Sequence, residues 1–207
     1  MDGRVGPNAG AAAGPGALGA VVVAGGGAAR MGGVDKGSIE VGGRTLLEHV
    51  LAALPHVADV VVVGDEVGTS RPVTFTREDP PGGGPAAALL AGLRALPHAP
   101  DRVLVLAGDL PRVTEETLKR LEAAVGDDVD GAVLVDRGGR AQYLCASYRV
   151  AALLAAAPPS DEEHGLPMHR LLAPLRLAEV AAVGDEAVDV DTWEDLRAVR
   201  EGDDFGA

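Results

Sequence analysis

Ala20-Val21-Val22-Val23-Ala24-Gly25-Gly26-Gly27-Ala28-Ala29-Arg30-Met31-Gly32-Gly33-Val34-Asp35-Lys36 decides the reading of this chain. It opens as an apolar, β-branched run, which suits a strand buried on both faces. It then breaks into three glycines, which turn sharply and present backbone N–H groups with no side chain over them. In open α/β sheets a glycine loop at the carboxyl end of a strand is where phosphorylated ligands bind. Arg30 and Lys36 follow the loop; Arg offers a planar fork for phosphate oxygens and Lys a compact point charge.

Two familiar glycine patterns do not fit. The dinucleotide fingerprint Gly-x-Gly-x-x-Gly fits at Gly25 and Gly27, but Arg30 stands at its third position. The phosphate loop requires Gly before Lys and Ser or Thr after it, whereas Lys36 lies between Asp35 and Gly37. Val23-Ala24-Gly25-Gly26, Arg30-Met31-Gly32 and Asp35-Lys36 instead match, without a gap, Leu/Val-Ala-Gly-Gly-x-x-x-Arg-Met-Gly-x-x-Asp-Lys. The string resembles the signature of the molybdenum cofactor guanylyltransferase-like nucleotidyltransferases, and the resemblance extends over nearly all of the chain after residue 19. It implies a Rossmann-like, mostly parallel sheet of the nucleotidyltransferase type. It also implies an enzyme that moves a nucleoside monophosphate from an NTP to a phosphorylated acceptor.

Working outward, residues 1–19 are rich in Gly, Ala and Pro and lack periodicity, so they read as a disordered tail. The nucleotidyltransferase domain is expected over 20–201, with a short C-terminal tail at 202–207. Thr45 caps a helix with Glu48 at capping-box spacing, and Leu46, Leu47, Val50, Leu51 and Leu54 recur at helical spacing. Ala58–Val63, Val73–Thr76 and Arg102–Ala107 read as strands, and Ala86–Leu96 as a helix. Thr114 caps the next helix with carboxylates behind it. Gly131–Val135 and Gln142–Ser147 read as strands joined by an Asp136–Arg140 turn. Val150–Ala157 and Met168–Ala173 read as helices, Leu177–Val183 and Ala187–Val190 as extended pieces, and Trp193–Val199 as a helix capped by Asp191-Thr192. Strands alternating with helices predict a three-layer α/β/α sandwich.

Composition narrows the function. A chain of 207 residues, 47% hydrophobic, fits one domain with a sizeable core. A net charge of −13 argues against nucleic acid or an anionic membrane as partner, since both require clustered Lys and Arg. No apolar run approaches the roughly 18 residues that span a bilayer, and the N-terminus lacks a signal-peptide layout. The expected location is the cytoplasm. The lone Cys145 excludes an internal disulfide and reads as a buried small hydrophobe. The histidines His49, His56, His98 and His164 show no metal spacing.

Nucleotidyl transfer needs no protein nucleophile; the protein holds both reactants and neutralises charge on the phosphates. Mg²⁺ suits that task, binding through one or two carboxylates and substrate phosphates. Asp109 follows a Val-Leu-Val-Leu strand inside Gly-Asp-Leu-Pro, the context of the family's metal-binding Asp. Asp191, in Asp189-Val190-Asp191-Thr192, is either a second metal ligand or a helix cap.

The resemblance makes Arg30, Lys36 and Asp109 the catalytic candidates. Ala24, Gly25, Gly26, Gly27, Lys36, Asp79, Gly84, Pro85 and Asp109 are those for nucleotide binding. Asp79 is read either as an acceptor for guanine's N1–H and amine or as a turn residue before Pro80. Arg140, Gln142 and Met168-His169-Arg170 are either acceptor-side contacts or solvated groups. The substrates implied are GTP and molybdopterin, with pyrophosphate released and contacts to other molybdenum cofactor proteins. The glycine loop is equally compatible with CTP or with another NTP and a sugar phosphate. A catalytically idle nucleotide-binding regulator or escort is a further reading, against which intact Arg30, Lys36 and Asp109 count.

Overall fold

A computed structural model of the chain describes residues 17–25, 39–190 and 192–202. The expected apolar runs form a seven-stranded sheet in the order β5-β4-β1-β6-β8-β7-β9. Its strands are β1 (Leu18–Val23), β4 (Asp59–Val63), β5 (Thr74–Thr76), β6 (Arg102–Ala107), β7 (Gly131–Val135), β8 (Ala141–Arg149) and β9 (Leu177–Ala181). β1 pairs in parallel with β4 and β6, and β4 with β5. β8 runs antiparallel to both β6 and β7, and β7 pairs in parallel with β9. A separate hairpin pairs β2 (Glu40–Val41) with β3 (Arg44–Thr45).

Alternation along the central strands builds two cores. Ala20, Val22, Val60, Val62, Leu104 and Leu106 meet α1 (Leu46–Ala52) and α3 (Glu115–Ala124) on one face. Val21, Val23, Val61, Val63, Val103 and Val105 meet α2 (Gly84–Ala95), α4 (Val150–Ala156) and α5 (Met168–Leu172) on the other. Burial on both faces is why these strands read as unbroken apolar runs. Each fully buried Val or Leu contributes about 1.5–3 kcal/mol of transfer free energy. The result is the expected three-layer sandwich. The last helix, α6 (Trp193–Gly202), packs Leu196 and Val199 with Ile39, Val41, Leu46 and Val190 in a third cluster.

Several boundaries differ from the sequence reading. β1 begins at Leu18, inside the segment taken as a tail, and the carbonyl of Ala17 accepts from the N–H groups of Asp101 and Arg102. Deleting residues 1–19 is therefore expected to lower the melting temperature by about 5 °C. Deleting residues 1–16 is expected to leave it unchanged, and thermal unfolding of the two truncations checks both. α2 begins at Gly84, because Pro85 fits a helix's first turn, where its missing N–H costs nothing. Gly84 has φ +85°, a conformation open to glycine and strained for other residues.

The caps also differ. Thr45 accepts from the Glu48 N–H as expected, but the Glu48 carboxylate turns to Ser70 and does not close the box. The box on α3 closes through the Thr117 hydroxyl, not a carboxylate. On α6 Thr192 caps as expected and Asp195 answers it, Thr192 Oγ1 accepting from Asp195 N at 3.1 Å and Asp195 Oδ2 from Thr192 N at 2.7 Å. Ala187–Val190 is not a strand: Val188 N–H turns back to Asp185 O, and Val190 N–H donates to Asp109 O.

Candidate active site

The carboxyl ends of β1, β4 and β6 lie side by side, so the loops leaving them converge. Ala24 and Gly25 donate their N–H groups to Val63 O, both at 2.9 Å, and Gly108 donates to Val23 O at 2.9 Å. A side chain at Gly108 would meet Ala24 Cβ at 3.0 Å, so glycine lets the two strand ends touch. Asp109 follows, half-buried, and its carbonyl takes the Val190 N–H at 3.0 Å. That bond joins the end of β6 to the late acidic segment.

A cleft of about 580 Å³ opens over these ends. Val23 and Gly25 form its floor with Ala107, Asp109 and Leu110. Glu78, Gly82 and the start of α2 at Gly84, Pro85 and Ala88 form one wall; Arg140–Leu144, Met168 and Asp189 form the other. A second cavity of about 390 Å³ adjoins it, walled by the β7–β8 turn, the segment 182–189 and Asp195. Arg140, Gln142 and Asp189 line both. Among the described residues of the first cleft, Glu78, Asp109 and Asp189 are carboxylates and Arg140 is the cation.

The structure brings together Gly25, Gly84, Pro85 and Asp109, with Ala24 beside them. It also brings Arg140, Gln142 and Met168 to the same cleft. Asp79 does not join them: it is exposed and lines a small cavity with Arg94, Glu163 and His164, whereas its neighbour Glu78 lines both that cavity and the cleft. Glu78 is held there by accepting from the Gly82 N–H at 3.1 Å. Gly26, Gly27, Arg30, Lys36 and Asp191 lie outside the described residues. Thr192, of the expected Asp191-Thr192 cap, does cap the last helix.

Sequence reasoning missed Glu186, which anchors the segment carrying Asp189. Its carboxylate accepts from Thr117 Oγ1 at 2.7 Å, from Val183 N at 2.9 Å, and from Arg120. Burial pushes its pKa up, but the bonds from Val183, Arg120 and Thr117 outweigh burial and leave it lowered. A lowered folded-state pKa contributes stability above the unfolded value of about 4.3, and that stability is lost as pH falls through the folded value. Glu186→Ala is expected to cost about 2–3 kcal/mol at pH 7 by orphaning Arg120 and Thr117. The gap to the wild type should shrink below about pH 4; urea unfolding at both pH values checks this.

Asp109 and Asp189 line the same cleft, and Mg²⁺ takes one or two protein carboxylates and fills its octahedron with phosphate and water oxygens. Among the described residues no group of three or more His, Cys, Asp or Glu side chains could hold a metal ion on its own. No helix among them is long and apolar enough to cross a membrane. Cys145 is buried within the sheet and its thiol is pushed up to about 12 by that burial, so it is inert, as expected.

Known proteins resemble this chain in sequence and in fold. The chain is 30% identical to the molybdenum cofactor guanylyltransferase of Acidiphilium cryptum over 196 residues, covering 89% of this chain and 95% of that protein. It is 39% identical over 111 residues to the bifunctional protein GlmU of Rhodopseudomonas palustris, covering 49% of this chain and only 24% of that longer protein. The crystal structure of molybdopterin-guanine dinucleotide biosynthesis protein A from Archaeoglobus fulgidus shares the fold, with a TM-score of 0.67 at 20% identity over 88% of this chain and 96% of that one. Residues 20–181 match the MobA-like NTP transferase domain, and the chain belongs to that family.

Proposed function

We propose that the chain transfers GMP from GTP to molybdopterin and releases pyrophosphate. The observation that carries this reading is the meeting of Gly25, the Gly82–Pro85 wall and Asp109 over the carboxyl ends of the parallel strands. The guanylyltransferase relative, aligned over nearly the whole of both chains, supports the choice of substrates.

GTP would lie in the larger cleft, with its phosphates over the β1 loop and Asp109. An acceptor phosphate oxygen attacks the α-phosphorus in line; the new P–O bond forms as the bond to the β-phosphate breaks. The protein's share is alignment and charge neutralisation, which suffices for phosphoryl chemistry. Asp109 and Asp189 would hold Mg²⁺, which supplies positive charge to the phosphate oxygens when bound. Arg140, on the wall shared by the two cavities, would face the acceptor phosphate. Lys36 and Arg30 supply further positive charge in this reading.

The test is pyrophosphate release across GTP, CTP, UTP and ATP, each with and without molybdopterin. GTP should be preferred at least about tenfold, or roughly 1.4 kcal/mol, because a site built to hydrogen-bond a base leaves its own polar atoms unpaired with the wrong one. The cleft position of Glu78 makes it the better guanine acceptor. Glu78→Ala should narrow the preference, and Asp79→Ala should leave it intact. A preference for CTP would overturn guanylyl transfer and leave nucleotidyl transfer standing.

A further inference from the structure

The β7–β8 hairpin carries an irregularity beside the site. Val133 faces Ala146 across the ladder, but Leu134 faces Gln142 and Val135 faces Ala141. The β8 residues between therefore bulge away from β7, and Tyr143 and Leu144 line the cleft. Bulges re-aim side chains and loosen pairing. Beyond the bulge only two ladder pairs remain, Leu134 with Gln142 and Val135 with Ala141, and β8 no longer pairs with β6 past Cys145, so the end carrying Arg140 is weakly fixed.

One side chain supplies what the ladder lacks. Asp136 Oδ1 accepts from the N–H groups of Gly138 and Arg140, each at 2.9 Å, and Oδ2 accepts from Gln142 Nε2 at 2.9 Å. The same residue exchanges backbone bonds across the turn, donating to Arg140 O and accepting from Gly139 N, both at 3.0 Å. The bonds from Gly138 and Arg140 are those an Asp makes in an Asx turn; the bond from the Gln142 side chain goes beyond it. Since a carboxylate only accepts, Gln142 must present its amide nitrogen to it, leaving its carbonyl oxygen for another donor. The other cation of this turn, Arg137, leans instead toward Asp185 at 3.7 Å.

We infer that Asp136 is a positioning residue for the phosphate acceptor: its carboxylate locks the hairpin tip so that Arg140 and Gln142 stand on the wall shared by the nucleotide cleft and the second cavity. This rests on the nucleotidyl-transfer reading above. It assigns the acceptor to the second cavity and the acceptor's phosphate to Arg140. Asp136 itself touches neither substrate.

Steady-state pyrophosphate release with GTP and molybdopterin, each varied in turn, tests this. Asp136→Ala should raise the molybdopterin KM at least about tenfold, the scale of misplacing a hydrogen-bonded charge. The GTP KM should stay within about twofold. Asp136→Asn, whose Oδ1 still accepts from both N–H groups while the Gln142 amide turns over, should recover most of the loss. A purely structural role would move both KM values together and lower the melting temperature; that result, or an unchanged molybdopterin KM, overturns the proposal. If Asp136→Ala does not fold, Gln142→Ala leaves both bonds to Oδ1 in place and should show the same one-sided rise, its absence being equally decisive. No release by the wild type with GTP and molybdopterin would overturn the underlying reading and this proposal with it. Release by the wild type with unaltered kinetics in the variants would overturn this proposal alone.

Discussion

Asp109→Asn should lower kcat/KM for nucleotidyl transfer by about a hundred- to a thousandfold, the cost of losing one positioned group that stabilises transition-state charge. The concentration of Mg²⁺ needed for half-maximal rate should rise with it. The substitution keeps the shape and removes the charge. Its backbone is held independently of the side chain, by Gly108 N–H on Val23 O and by Val190 N–H on the Asp109 carbonyl. A cap role for α3 does not compete, since Thr114 and Thr117 cap that helix. The loss should appear in rate and metal dependence, with thermal unfolding of the variant checking that the fold is kept. Asp189→Asn should show a milder form, because Asp189 is exposed where Asp109 is half-buried. Rates measured across a Mg²⁺ titration decide it: an unchanged metal dependence in Asp109→Asn removes Asp109 as a ligand.

The sheet was legible because burial on both faces leaves its mark directly in sequence. Val21–Val23 and Val103–Leu106 have no polar interruption, and all lie in one of the two cores. Direction of side chains in loops leaves no such mark. Glu78 and Asp79 are adjacent carboxylates in a Pro- and Gly-rich segment, and spacing alone cannot say which one faces the cleft. Ala187–Val190 misled for a related reason. Val190 is apolar because it packs with Leu196 and Val199 of α6, not because it joins a ladder. The cap at Thr45 shows the same limit, since Glu48 has capping spacing yet its carboxylate is claimed by Ser70, distant in sequence.

The late acidic segment shows how such long-range contacts build the site. Asp189 reaches the cleft because three separate ties hold its segment: Glu186 on Thr117 and Arg120 of α3, Val190 N–H on Asp109 O, and Val190 packed against α6. No single tie is visible as a motif. The sequence showed an Asp-x-Asp-Thr string and pointed to Asp191, which lies outside the described residues; the structure adds Asp189, which lines both cavities.

Lys36→Ala is expected to lower kcat/KM by at least about a hundredfold. The argument starts from charge. The described residues of the larger cleft give three carboxylates, Glu78, Asp109 and Asp189, against the single guanidinium of Arg140. A triphosphate bound there brings roughly four more negative charges, which an acidic chain of net charge −13 cannot tolerate without local cations. Bound metal offsets part of this, and the remainder must come from side chains. Lys36 lies outside the described residues, but it closes the signature that begins at Val23, on the cleft floor. The other lysine of the chain, Lys119, sits on α3 in an exposed pair with Glu115 at 2.8 Å. Lys119→Ala makes the same change in net charge away from the cleft, and exposed pairs of this kind contribute little. Its kcat/KM should stay within about twofold of the wild type, as salt screens charges beyond about 10 Å. Pyrophosphate release by the two variants side by side separates a positioned cation from bulk charge. Equal losses would return Lys36 to the solvated surface.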